Sequence, residues 1–165
     1  MLRSKTRILK LWLAALVSLV CAFCALAGGF SLTIGKAVAG NDFHSKGAVL
    51  VVRPDGCGEP AKALIRGTAE GMVNGTRRSL PLKLTPLPTP GVYAVYREWP
   101  AEGVWVVNLT GNYNGATASS IVPIGPKGLV RESVKSFQHS ATEEEIDVSL
   151  KALADGQEAN SPGRP

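Results

Sequence analysis

The side chains that could do chemistry are few, and they are scattered. Cys57 is the only cysteine after residue 40, and it sits in a turn, Asp55-Gly56-Cys57-Gly58-Glu59-Pro60. A nucleophilic cysteine needs a histidine nearby as base. The two histidines, His44 and His139, stand at opposite ends of the segment after residue 40, so no Cys–His couple is expected. A soft copper site draws on cysteine, methionine and histidine, which makes Cys57, His44 and Met72 the candidate metal set. No two of them have ligand spacing, so they would need the fold to bring them together. The plainer alternative is an incidental thiol, because one cysteine outside the cytoplasm cannot close an intramolecular disulfide. Glu98 and Glu102 flank a turn but have no further polar groups around them, and they read as solvated carboxylates. No catalytic residues are expected, so the chain is not read as an enzyme.

The aromatic residues are more concentrated. Tyr93, Tyr96, Trp99, Trp105 and Tyr113 fall within 21 positions. Trp105 lies on the apolar face of an alternating run and reads as a core residue. Trp99, just before Pro100, reads as exposed at a strand end. An exposed ring can stack on a sugar or anchor a partner. Trp99, Tyr96 and Tyr113 are therefore the candidate binding residues, against the plainer alternative that these rings fill and cap the core.

The elements that must position these residues begin after an export-type segment. Arg3, Lys5, Arg7 and Lys10 precede 25 residues without a formal charge, Leu11 to Gly35. A positive start stays on the cytoplasmic side, so the chain beyond the apolar run should emerge outside. Small-x-small cleavage patterns occur at Ala37-Val38-Ala39 and at Ala25-Leu26-Ala27. The segment reads as a signal helix over 1–39, cut between Ala39 and Gly40 in preference to the Ala27 site. A retained anchor is the alternative, since ~20 apolar residues span a bilayer. Cys21 and Cys24 lie inside the apolar run, where no redox turn is expected.

The charge balance depends on this segment. Of eighteen Lys and Arg, five precede Gly40 and thirteen come after it, matching thirteen Asp and Glu that all come after it. The net charge of +5 therefore belongs to the leader, and the remainder is neutral. A nucleic-acid reader would need a basic stripe on the domain, so nucleic acid is not expected as a partner. The pair Arg77-Arg78 reads as a solvated turn or strand edge.

After a short arm over 40–46, short apolar runs alternate with turn signals. Gly47–Arg53, Ala61–Thr68, Ser79–Thr85, Val92–Glu98, Val104–Thr110 and Ala116–Ile124 read as six strands. Asn74-Gly75 supplies the positive φ angles of a tight hairpin, and Pro81 pushes its run to an edge or a bulge. Leu129–His139 reads as a seventh strand or an extended connection. Thr142-x-x-Glu145 is a capping box, and Ile146, Leu150 and Leu153 form one apolar stripe. This predicts a helix over 140–155, stopped by Gly156, that either packs on the sheet or docks on a partner. Residues 156–165 read as a disordered tail. The fold class expected is mainly β, an immunoglobulin-like sandwich of six or seven strands over 47–139 with a signal helix before it and a short helix after it.

Pro90-Gly91-Val92-Tyr93 followed by Trp99-Pro100-Ala101-Glu102-Gly103-Val104-Trp105 resembles the end of the YtkA-like, FixH-like and carboxypeptidase-regulatory-like exported domains. In these a Gly-x-Tyr strand precedes a Gly-x-Trp strand. Val51-Val52-Arg53-Pro54-Asp55-Gly56 with Glu59-Pro60-Ala61 resembles their first hairpin. The resemblance covers roughly Gly47 to Ile124. It implies an immunoglobulin-like fold outside the membrane and, for some such modules, copper handling or oxidase assembly. The function expected is a non-catalytic, extracytoplasmic binding or accessory module with a protein partner at the cell envelope. It would meet the membrane only through an uncleaved leader. The alternatives are a periplasmic copper-handling protein and a carbohydrate-binding module.

Overall fold

The computed structural model of the chain describes residues 29–36, 46–126 and 128–159. The charged and apolar leader through residue 28, the cleavage pair Ala39 and Gly40, His44 with most of the arm, and residues 160–165 lie outside them.

In chain order, β1 (Ser31–Gly35) runs antiparallel to β2 (Leu50–Asp55), with Ser31 opposite Asp55 and Gly35 opposite Val51. A 3-10 turn at Pro60–Lys62 leads into β3 (Leu64–Val73), which folds back as β4 (Thr76–Pro81). Asn74 and Gly75 make that turn with φ of 49° and 75°, the left-handed pair that a tight hairpin requires. Next come β5 (Leu84–Pro86) and β6 (Tyr93–Val95), then a long hairpin of β7 (Val104–Tyr113) and β8 (Ala116–Gly125). Asn114-Gly115 closes it in the same way, with φ of 49° and 81°. β9 (Gly128–Leu129) and β10 (Lys135–Phe137) add to β8, and α1 (Glu143–Ala159) ends the described chain.

The strands form two antiparallel sheets. The smaller has the order β1-β2-β6-β5, and the larger β10-β8-β7-β3-β4. The run read as one strand over Ser79–Thr85 divides between them. Proline has no N–H for a ladder, and β4 ends at Pro81 on the edge of the larger sheet. Leu82 donates one last backbone hydrogen bond to Gly67, and the chain crosses to the smaller sheet as β5.

Strand alternation builds the core. Trp105, Val107 and Leu109 of β7 face Leu50 and Val52 of β2, Val95 of β6 and Leu32 of β1 in one buried cluster. The Trp105 indole N–H donates to the Glu102 carbonyl at 2.7 Å, so its one polar atom is satisfied. Gly71 on β3 makes room for the ring, since a Cβ there would come within 2.4 Å of it.

The opposite face of the larger sheet carries α1. Ile146 and Leu150 are buried against Val106 and Ile121, with Val104, Phe137, Ala141 and Leu153 around them. Of the two roles open to the apolar stripe, the structure shows packing. The capping box forms as its sequence requires: the Thr142 N–H donates to the Glu145 carboxylate at 2.8 Å, and the Glu145 N–H to the Thr142 hydroxyl at 3.2 Å. Gly156 does not stop the helix, which runs to Ala159. A single interior glycine costs about 1 kcal/mol relative to alanine, which weakens a helix without ending it.

Residues expected to leave with the signal also belong to the domain. Ser31–Gly35 is a paired strand, and Phe30 and Leu32 are 4% and 7% exposed in the main core cluster. Phe30, Leu32 and Ile34 alternate with Ser31 and Thr33, the period-two pattern of a half-buried strand.

Candidate functional site

Cys57 is exposed on the loop between β2 and β3. It lines a small open cavity with Phe30, Gly56, Tyr113, Asn114 and Ala116. Three regions meet there: the residue leading into β1, the loop itself, and the β7–β8 hairpin. Tyr113 holds the loop in place, because its hydroxyl accepts the Glu59 N–H at 2.7 Å. The phenol leaves no space for a side chain at position 58. A Cβ on Gly58, whose φ is +82°, would lie 2.9 Å from the hydroxyl oxygen. The Phe30 and Tyr113 rings lie 5.9 Å apart at 38° and wall one side. Asp55 shapes the loop entry by accepting the Gly56 N–H at 3.0 Å, and it pairs with Arg53 at 3.4 Å.

The volume of this cavity is about 230 Å³, below the roughly 300–1,000 Å³ of ordinary small-molecule pockets. Its lining offers a thiol, a phenol and an amide, with no carboxylate or imidazole. That set presents a thiol to solvent beside a phenol whose oxygen accepts the Glu59 N–H.

The candidate metal residues do not converge. Cys57 shares its cavity with Tyr113, the last residue of β7, whereas Met72 lies opposite Val104, the first. Along an extended strand those ends are separated by roughly 30 Å, too far for one ion. Met72 is instead 37% exposed on the helix-bearing face of the larger sheet. His44 lies outside the described residues. Among the described residues no group of three or more His, Cys, Asp or Glu could hold a metal ion.

The candidate binding aromatics are dispersed as well, and Trp99 requires a correction. It is 5% exposed, with its ring centroid 6.4 Å from that of Trp105. The Arg97 guanidinium covers the ring at 5.9 Å and is held there by the Pro100 and Ala101 carbonyls. The ring therefore has no open face on which a sugar could stack. The reason is tertiary: the turn after Trp99 folds it back on the first inward residue of β7. Tyr113 stands at the other end of that strand as the strut of the Cys57 loop, and Tyr96 is half-buried just past β6. The three do not form one platform.

Among the described residues, a side chain that the sequence did not single out for chemistry makes three ion pairs. Arg77 on β4 pairs with Glu70 of β3 at 3.1 Å, with Glu143 of α1 at 3.3 Å, and with Asp147 of α1. Glu70 is buried and also accepts the Ser79 hydroxyl at 2.7 Å. One guanidinium thus ties the first turns of the helix to the sheet. The Arg77-Arg78 pair is at a sheet edge, as its sequence suggests, but Arg77 is not simply solvated. Strand parity is the available clue: Arg77 lies opposite Met72 and beside Ser79 on the helix face. His139, exposed near the start of α1, lies 3.7 Å from Glu145 and 5.3 Å from the Phe137 ring, and is not among the residues that line the Cys57 cavity.

No family model, curated protein or solved structure matches this chain. No helix among the described residues is long and apolar enough to cross a membrane.

Proposed function

We propose that this chain is an exported, non-catalytic domain of immunoglobulin-like topology that serves as a binding or accessory module at the cell envelope, engaging a protein partner. The observation that carries this is the strand order read together with the leader. The smaller sheet, β1-β2-β6-β5, corresponds to the four-stranded sheet of an immunoglobulin constant-type sandwich, and β8-β7-β3 to its three-stranded sheet. β4 extends the second sheet beside β3, and β9 and β10 extend it beside β8. Domains of this architecture work mostly through their surfaces and loops, in keeping with chemically capable side chains that lie at opposite ends of β7. The basic-then-apolar start of the chain supports delivery outside the cytoplasm. The copper and carbohydrate alternatives draw less support, since Met72 is far from Cys57 and Trp99 is buried.

The test is a fusion of the full chain to a reporter that is active only outside the cytoplasm, combined with in-cell crosslinking. An active fusion and a discrete heteromeric adduct are expected. An inactive fusion contradicts the export, and a chain that stays monomeric under crosslinking contradicts the accessory role.

A further inference from the structure

The structure constrains where the exported chain can be cut. Resting on the export reading above, we infer that maturation occurs at the Ala27–Gly28 bond, and that the Ala37-Val38-Ala39 pattern is not a processing site. A signal peptidase would hydrolyse that bond, with water adding across the amide to leave the Ala27 carboxylate and the Gly28 amine. The mature domain then begins immediately before β1.

Three observations support this. First, β1 is a working strand of the sheet: five consecutive residues pair with β2, and Thr33 sits beside Asp55 at 3.5 Å. Second, the rest of the domain is shaped around the residues that lead into it. Gly111 on β7 has no room for a side chain, because a Cβ there would lie 2.9 Å from Leu32 and 3.0 Å from the Phe30 ring. Gly56, at the mouth of the Cys57 loop, backs onto the Gly29 carbonyl and the Phe30 Cα, each 3.3 Å from where its Cβ would sit. Phe30 also walls the Cys57 cavity. A cut after Ala39 would remove both core side chains and the whole edge strand, and would uncover β2.

Third, assigning Gly29–Gly35 to the domain changes the length of the leader. The uncharged run of 25 residues shrinks to 18, from Leu11 to Gly28. Within it the apolar stretch before Ala25-Leu26-Ala27 is Leu11 to Cys24, fourteen residues. A cleavable signal has an apolar stretch of about 7–15 residues, and a bilayer span wants ~20. The segment that was too long for a signal fits one once β1 is taken away from it.

The experiment is to express the full chain with a carboxy-terminal tag and measure the intact mass of the product outside the cytoplasm. A mass corresponding to a Gly28 start is expected. Ala27→Leu should block maturation and leave the full-length species, because the pattern needs a small residue there, while Ala39→Leu should leave the mature mass offset only by the substitution. An exported product that starts at Gly40, or that keeps its leader in the unaltered chain, overturns the inference. A product that stays full-length in the cytoplasm overturns the export reading instead.

Discussion

The two faces of the larger sheet are stabilised in different ways. The inward face is apolar along β7 and is sealed by the smaller sheet, with Trp105 at its centre. The outward face carries an apolar patch around Val106 and Ile121, which α1 covers, bordered by the Arg77–Glu70–Glu143–Asp147 charges. Burial sets the first face, and its contacts are long-range. The second depends on one helix held by a short apolar stripe, a cap and one guanidinium. The inward face should therefore carry the cooperative stability of the domain, and the helix should be the element that opens most readily.

The comparison can be broken most forcefully at Trp105. Trp105→Ala should cost about 3–5 kcal/mol and, in a domain of marginal stability, should abolish the cooperative transition in denaturant or shift it to very low concentration. A loss under about 1 kcal/mol, the size of an ordinary surface change, would mean that the two sheets do not share a tight core. Leu150→Ala removes one of the two buried apolar side chains described on the helix and should cost about 2–3 kcal/mol while leaving the sheet signal in circular dichroism intact. An unchanged midpoint would return the helix to the role of a docking peptide. Arg77→Met keeps most of the side-chain volume and removes the charge. Arg77 and its two helix partners are partly exposed, so solvent screening limits the loss to about 1 kcal/mol, part of it from leaving buried Glu70 unpaired. The difference between the variant and the parent should narrow in high salt, because screening already weakens the pairs in the parent.

Much of the fold was legible in the sequence because its signals are local. Asn74-Gly75, the alternation over Val104–Thr110 and the Thr142-x-x-Glu145 box each specify geometry within a few residues, and each is found. β1 was not legible for a physical reason. Its alternation of Phe30, Leu32 and Ile34 with Ser31 and Thr33 continues an apolar run without a charge, so composition masked periodicity. Trp99 failed differently: an aromatic before a proline reads as a strand end, and only the tertiary contact with Trp105 buries it. The helix stripe was visible, but its partner surface was not, since Val106 and Ile121 come together only when β7 and β8 pair. The candidate site was the least legible part. Cys57 has neighbours from the residue leading into β1 and from the β7–β8 hairpin, both remote from it in sequence, and the sequence joined it to Met72, which lies at the far end of the sheet.

The central claim is that the domain starts at β1. Hydrogen exchange on the protein purified from cells tests it most directly. Paired backbone amides over 31–35 should exchange slowly, within about tenfold of those in β2, and should lose that protection together with β2 as denaturant is added. Exchange of 31–35 at the rate of an unstructured peptide, or a mature chain that lacks these residues yet keeps β2 protected, would contradict it.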